Sequence, residues 1–180
     1  DYLGMTLDYG VEGKVSIRME DYVENMLVDL PVEFDGHAVT PAADHLFKVN
    51  KSAEALDQES ADLYHSVTAK ILFLCKRARL DIQPIVVVLC TCVKAPGKND
   101  WIKLVQMLKY LSSTIDDELI LNADNGVTTI QWYVDMSFAI HPDFKIHTGA
   151  IMKFYGGKGA IEAISSKQKL NMASSTTAKL

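Results

Sequence analysis

The apolar residues in the first thirty positions change from the spacing of a strand to the spacing of a helix. Residues 2–8 are mostly apolar, and Gly10 and Gly13 mark a turn after them. The alternation that follows predicts the second strand of a β-hairpin, with apolar positions at Val15, Ile17 and Met19. From residue 20 the apolar positions fall on one helical stripe, which consists of Tyr22, Val23, Met26, Leu27 and Leu30. Pro31 is expected to end this helix.

The middle of the chain predicts two further helices and one ambiguous segment, after a loop at residues 31–56. Asp57 is placed to cap a long helix that reaches about Arg79, with its apolar stripe at Leu63, Val67, Ile71, Leu74 and Ala78. Residues 85–88, after Asp81 and Pro84, fit a helix and a buried strand equally well. Asn99 or Asp100 is expected to cap the next helix, whose stripe consists of Trp101, Leu104, Val105, Leu108 and Leu111.

After Thr114 the pattern is typical of β-structure. Strands are predicted at residues 119–121, 130–138, 148–154 and 160–165, and a turn at Asp124, Asn125 and Gly126 joins the first two. Ser174, Ser175 and Thr176 are typical of the start of a helix. Large aromatic residues are usually buried, so Trp101, Trp132 and Tyr133 are expected in the core. Helices followed by a β-meander predict an α+β fold.

The net charge of -5 conceals two oppositely charged parts. Residues 1–62 contain 4 Lys/Arg and 14 Asp/Glu, whereas residues 63–180 contain 14 Lys/Arg and 9 Asp/Glu. Within residues 63–112, eight basic residues are accompanied by two acids, Asp81 and Asp100. Such a basic region fits a phosphate-contacting surface or a solvated helix face, and charge alone favours the solvated face.

The cysteines and histidines do not predict a metal centre. Three cysteines cannot all pair with one another, which suits a reducing intracellular compartment. Cys90 and Cys92 have no second Cys/His pair at zinc spacing, and His141 and His147 are expected to be turn residues. The longest apolar run, residues 85–93, is too short to span a bilayer, so no membrane partner is expected.

A series of short motifs occurs in a fixed order along nearly the whole chain. They are YLGM at 2–5, EDYV at 20–23, TP at 40–41, LFL at 72–74, RARLDI at 77–82, KYLSST at 109–114, YVDMSFA at 133–139, KIHTG at 145–149, SKQK at 166–169 and SSTTA at 174–178. This order resembles copia-type (Ty1/copia) LTR-retrotransposon polyproteins, where reverse transcriptase runs into RNase H.

The resemblance implies three parts in this chain. They are a palm-end hairpin remnant at residues 1–19, a helical thumb and connection region at 20–114, and the N-terminal half of an RNase H-like β-meander at 115–180. The family's paired-Asp polymerase motif would precede Asp1, so an excerpt without polymerase chemistry is expected. In an RNase H fold, helices after Ser174 would cover the sheet. We therefore expect that the apolar residues of the sheet cannot all be buried. These residues are Ile130, Trp132, Val134, Ile151, Ile161 and Ile164.

The resemblance also implies a metal-dependent site. RNase H cleavage uses Mg²⁺ held by several carboxylates. Asp135 matches the first catalytic, metal-binding carboxylate, but Lys179 stands where the family has the second, a Glu. An ammonium group there would repel a divalent cation. We therefore expect Mg²⁺ in the parent enzyme, no metal bound by this chain, and no catalysis by this chain alone.

The remaining implied residues contact nucleic acid. The thumb candidates are Lys76, Arg77, Arg79, Lys103 and Lys109, and Ser175 and Thr176 match a position near the hybrid backbone. The expected partners are an RNA/DNA hybrid or primer–template duplex and the rest of the parent polyprotein, in a cytoplasmic particle or the nucleus. The alternative hypothesis is a catalytically dead protein-interaction or structural module. An active ribonuclease is least favoured, because the ligands are too few.

Overall fold

The computed structural model describes residues 2–31, 34–43, 46–50, 52–122, 128–141 and 143–169. In these residues the chain has an α+β fold with four α-helices and six strands. The elements in order are β1 (Thr6–Asp8), β2 (Lys14–Arg18), α1 (Glu20–Val28), α2 (Gln58–Cys75), a 3₁₀ turn (Leu80–Ile82), α3 (Gln83–Cys92), α4 (Lys98–Ser113), β3 (Leu119–Asn122), β4 (Ile130–Ser137), β5 (His147–Phe154) and β6 (Glu162–Lys167). The strands form two sheets, with the orders β1-β2-β3 and β4-β5-β6. Within the described ranges, no helix has the length and apolar character needed to cross a bilayer.

The chain divides into two compact units. The first comprises Asp1–Leu7, Ile17–Leu46 and Asn50–Glu118, and the second comprises Asp8–Ser16, Phe47–Val49 and Leu119–Leu180. All four helices belong to the first unit, and the sheet of β4, β5 and β6 belongs to the second.

Helices α1 and α2 confirm the predicted stripes, with shorter C-terminal ends. The Asp57 carboxylate caps α2 by accepting a hydrogen bond from the Ser60 N–H at 2.8 Å. The helix ends at Cys75 instead of Arg79, because the chain turns at residues 76–78. Tyr64, which the predicted stripe omitted, is fully buried, and its hydroxyl donates to the Leu89 carbonyl at 3.1 Å.

The ambiguous segment after Pro84 is a helix. Proline fits the first turn of α3, since the backbone N–H that it lacks has no intrahelical partner there. Ile85, Val86 and Leu89 are its buried apolar residues. Helix α4 begins after Gly97, so the predicted cap at Asn99 or Asp100 is wrong. Asp100 instead lies inside the first turn, where its carboxylate accepts a hydrogen bond from the Gly97 N–H at 3.0 Å.

The second unit is built around the antiparallel sheet β4-β5-β6. Tyr133 lies opposite Ile151 and Asp135 opposite Gly149, while Ala150 lies opposite Ile164 of β6. Because directly opposed residues project from the same face of a sheet, the register separates two faces. One, the apolar face, carries Ile130, Trp132, Val134, Met152, Phe154 and Ile164. The other, the polar face, carries Gln131, Tyr133, Asp135, Ile151, Lys153 and Ala163.

Large side chains of this sheet are exposed. Ile130, Trp132 and Val134 retain 53%, 50% and 57% of their accessible surface, and Ile164 retains 39%. The expectation that Trp132 and Tyr133 lie in the core is therefore wrong, since Tyr133 is 53% exposed. Trp101 is half-buried. The predicted turn at Asp124, Asn125 and Gly126 and the predicted helix start at Ser174 lie outside the described residues.

A glycine-containing turn between β5 and β6 packs its backbone against β3. The Lys158 N–H donates to the Asn122 side-chain oxygen. A Cβ at Gly157 would collide with the Asn122 carbonyl, and one at Gly159 would collide with the Ile120 carbonyl. Gly159 also has a φ of +75°, which residues with a side chain rarely adopt. These contacts leave no room for a side chain at either position.

Candidate functional site

Asp135 lies on the polar face of the second sheet, near the end of β4. Its side chain is exposed, and it forms no hydrogen bond or ion pair with the described residues. The residue opposite is Gly149, and a Cβ built there would meet nothing within 4 Å. The space above Gly149, on the face that carries Asp135, is therefore open.

The residues around Asp135 do not by themselves fit a magnesium site. A hard divalent cation needs several oxygen ligands. Across the described ranges, no group of three or more His, Cys, Asp or Glu side chains could hold a metal ion. Lys179, Ser175 and Thr176 lie outside those ranges. The described part of the chain thus contributes one exposed carboxylate at the position that the resemblance assigns to metal binding.

Arg79 is buried in the first unit, with 3% of its surface exposed. Its guanidinium forms a bidentate pair with Asp81, at 3.0 and 2.9 Å, and donates to the Thr114 carbonyl and hydroxyl oxygens at 2.7 and 2.8 Å. Burial opposes the charge, but the hydrogen bond and charge of Asp81 raise the Arg79 pKa above its ordinary value. The Tyr110 hydroxyl donates to the same Asp81 carboxylate at 2.9 Å. We call these four residues the Arg79 clamp, which joins the end of α2 to the end of α4.

The other basic candidates differ in how accessible they are. Lys103 is buried, 7% exposed, with its ammonium 3.7 Å from the Asp100 carboxylate. Lys76 is exposed, and Lys109 is half-buried. The Arg77 guanidinium lies 3.4 Å from the centre of the Phe73 ring and donates to the Phe73 carbonyl. Lys76 and Arg77 therefore present positive charge just after the C-terminus of α2, while Arg79 and Lys103 are held by acids in the interior.

A hydrogen-bonded chain of two histidines and a serine crosses the second unit, and sequence reasoning missed it. His141 Nε2 lies 3.1 Å from His147 Nδ1, and His147 Nε2 lies 2.6 Å from Ser165 Oγ. The Phe47 ring packs against both imidazoles. His147 and Ser165 are buried, so this Ser–His contact joins β5 to β6 and does not present a nucleophile to solvent. We call these three residues the histidine chain.

The surroundings of the histidine chain favour neutral imidazoles. Burial lowers the pKa of His141, and the Lys167 charge lowers it further, against an opposing effect of Asp143. Burial, followed by the neighbouring His141, lowers the pKa of His147. A 3.1 Å contact between two ring nitrogens accommodates one hydrogen, so protonation of both rings would break it. His141 lies in a turn as expected, but the expectation of a turn at His147 is wrong, because His147 begins strand β5. The two contacts span 6 and 18 positions, which is no recognisable spacing.

Comparison with known proteins gives one informative similarity. The chain is 28% identical over 171 residues to the "Retrovirus-related Pol polyprotein from transposon TNT 1-94" of Nicotiana tabacum. The match covers 92% of this chain and 13% of that polyprotein. No family model matches the chain, and no solved structure matches it. The similarity supports a retroelement-derived segment of a Pol polyprotein.

Proposed function

We propose that this chain is the part of a copia-type Pol polyprotein in which the reverse transcriptase thumb joins RNase H, and that it contacts nucleic acid there. The observation that carries the proposal is the similarity to a tobacco Pol polyprotein across 92% of the chain, together with the ordered motifs. The position of Asp135 adds support, because the carboxylate that the motif YVDMSFA assigns to metal binding is exposed beside a glycine.

Phosphate contact in this proposal rests on the accessible cations of the first unit. Lys76 is exposed, and Arg77 and Lys109 are half-buried, so each can reach a ligand without a change of fold. Arg79 and Lys103 are instead held in the interior by Asp81 and Asp100. Contacts of this kind are directed at the phosphate backbone, so binding should depend on salt and little on base sequence.

Ribonuclease chemistry belongs, in this proposal, to the longer parent protein. Asp135 would supply one carboxylate to Mg²⁺ there, and Ser175 and Thr176 would lie near the hybrid backbone. Lys179, at the position of the family's Glu, disfavours metal binding by this chain itself. An intracellular location, in a particle or the nucleus, agrees with three cysteines that form no disulfide among the described residues, Cys75, Cys90 and Cys92.

Salt-dependent binding of a labelled RNA/DNA hybrid tests the role of the cations after α2. We expect the double variant Lys76→Ala/Arg77→Ala to bind more weakly than wild type. Its log–log salt slope should fall by roughly 0.9 for each phosphate that the variant no longer neutralises. Lys94→Ala is the control, because Lys94 is also exposed in the same unit but lies after α3.

Two results would contradict the proposal. One is the absence of hybrid binding by folded wild-type chain at low salt. The other is an unchanged slope in the double variant with intact helical circular dichroism, which would leave Lys76 and Arg77 as solvated cations near the end of a helix. The Lys94→Ala control should keep the wild-type slope in either case.

A further inference from the structure

Arg77 is held in place without being neutralised. Its guanidinium carbon lies 3.4 Å from the centre of the Phe73 ring, and its Nη1 donates to the Phe73 carbonyl at 3.2 Å. Among the described residues, Arg77 forms no ion pair with a carboxylate. Arg79, two positions later, is also fixed, but the Asp81 carboxylate both holds it and compensates its charge. The Arg77 guanidinium therefore combines a defined position with an uncompensated positive charge.

The Phe73 ring is itself fixed by a residue of helix α1. Tyr22 stacks on it, with 5.3 Å between the ring centres and 27° between the ring planes. The Tyr22 hydroxyl donates to the carbonyl of Lys70 in α2 at 3.1 Å. Stacked rings at this separation attract each other beyond the effect of the area that they bury. Because both the ring and the hydroxyl of Tyr22 are held, the Phe73 ring that contacts Arg77 is restrained. We call Tyr22 and Phe73 the aromatic pair.

A cation–π contact leaves the hydrogen-bond donors of a guanidinium available. The N–H groups lie in the plane of the guanidinium and point outward from its edge, whereas the Phe73 ring covers one flat side. One N–H reaches the Phe73 carbonyl, and the others have no partner among the described residues. Two parallel N–H groups of an arginine match two oxygens of a phosphate, a geometry that a lysine ammonium cannot reproduce. The contact with Phe73 thus orients Arg77 and keeps its donors free.

We propose that the aromatic pair positions Arg77 for a bidentate contact with one backbone phosphate of the bound nucleic acid. This inference rests on the proposed function, and it makes Tyr22 and Phe73 positioning residues of that contact. An arginine that is mobile before binding loses rotamer freedom when it binds, whereas Arg77 is already restrained and loses less. Lys76, the exposed cation beside it, contributes charge without this geometry.

Replacement of Arg77 by lysine separates geometry from charge in hybrid binding by the full chain. Arg77→Lys keeps the positive charge, so the log–log salt slope should stay at its wild-type value. The dissociation constant should nevertheless rise about fivefold, because lysine cannot form the paired contact. Arg18→Lys is the control, since Arg18 is also a half-buried arginine of the first unit but pairs with Glu118 at 3.1 Å. The control should leave the dissociation constant unchanged.

A double-mutant cycle tests the positioning role of the aromatic pair. Phe73→Leu keeps an apolar side chain but removes the ring, so it should raise the dissociation constant about threefold in the wild-type background. In the Arg77→Ala background it should have no effect, because the group that the ring positions is gone. A purely structural role of Phe73 would raise the constant equally in both backgrounds. Helical circular dichroism should be the same for all four proteins of the cycle.

The outcomes separate this inference from the proposed function. Arg77→Lys with wild-type affinity would overturn the bidentate contact, and an effect of Phe73→Leu that persists in the Arg77→Ala background would overturn the positioning role. Either result would leave hybrid binding by the chain intact. Absence of hybrid binding by folded wild-type chain would overturn both the proposed function and this inference. If Phe73→Leu does not fold, the same cycle with Tyr22→Leu, which removes the ring stacked on Phe73, decides the positioning role.

Discussion

The helical unit and the three-stranded sheet of the second unit contain apolar residues in equally regular patterns but bury them very differently. Ile71, Leu74 and Leu111 are completely buried among α2, α3 and α4. Ile130, Trp132 and Val134 alternate as regularly along β4, yet each is at least half exposed. The helices supply one another with a second layer, whereas the apolar face of the sheet has none among the described residues. Periodicity thus identifies which residues share a face, but burial depends on what covers that face.

Alanine variants of one isoleucine from each unit should show this difference in burial most strongly. Ile71→Ala should destabilise the helical unit by about 2 to 5 kcal/mol, because it removes a fully buried side chain and leaves a cavity. Ile130→Ala, at a residue that is 53% exposed, should cost less than about 1 kcal/mol.

Hydrogen exchange measures each unit separately. In wild type, amides between residues 67 and 75 and between 104 and 111 should exchange more slowly than those of β4 and β6. Equal protection in both regions, or equal destabilisation by the two alanine variants, would mean that the sheet is covered in solution.

The Arg79 clamp should give the next largest effect. Breaking a buried ion pair costs about 3 to 5 kcal/mol, and the partial exposure of Asp81 reduces the loss of stability expected for Arg79→Ala to about 2 to 3 kcal/mol. Arg77→Ala is the control, since Arg77 is half-buried and packs on the half-buried Phe73 ring of α2; it should cost less than about 1 kcal/mol. Urea unfolding followed by helical circular dichroism compares the two variants. Equal destabilisation would refute a structural role specific to Arg79.

Acidification from about pH 7.5 to about pH 5 should destabilise the second unit through its histidines, with a smaller effect. The folded pKa values of His141 and His147 are lowered, so the unfolded chain takes up protons first, at about 6.5. Stability from these groups is therefore complete above about pH 6.5 and falls below it, by at most about 1.4 kcal/mol per pH unit for each imidazole.

Protection factors of β5 and β6 amides at about pH 7.5 and about pH 5 measure this decrease, since imidazole charge changes between those values. His147→Gln should flatten the pH dependence, and His65→Gln, at an exposed position of α2, should not. A pH dependence that is undiminished in His147→Gln would exclude the histidine chain as its source.

Local rules predicted the helices and strands well, because their causes lie close in sequence. The Asp57 cap, the stripe containing Ile71 and the helix-compatible Pro84 all act within a few residues. The α4 cap was misplaced by three residues or fewer, since Asp100 acts from inside the first turn instead of before it. Only tertiary packing could decide whether residues 85–88 form a helix or a strand, because a fully apolar run shows neither helical nor strand periodicity.

The candidate site depends on contacts between residues that are far apart in sequence, which rules based on neighbouring residues cannot predict. Arg79 resembled its neighbours Lys76 and Arg77 in sequence, but Thr114, 35 positions away, holds it in the interior. The hydrogen bond between His147 and Ser165 spans 18 positions and has no motif. Asp135 could be singled out because a family motif surrounds it. Nothing local indicated that Trp132 and Tyr133 would be exposed.

The backbone packing between the β5–β6 turn and β3 bears on how sequences related to this chain can diverge. Most surface positions can change residue while the fold persists, but Gly157 and Gly159 face carbonyl groups that cannot move without displacing a strand. A genomic copy in which mutation replaces either glycine should therefore lose the packing of the β5–β6 turn against β3, even where its sequence motifs remain recognisable. These two positions offer a simple criterion, readable from DNA alone, for separating copies that can still build the second unit from those that cannot.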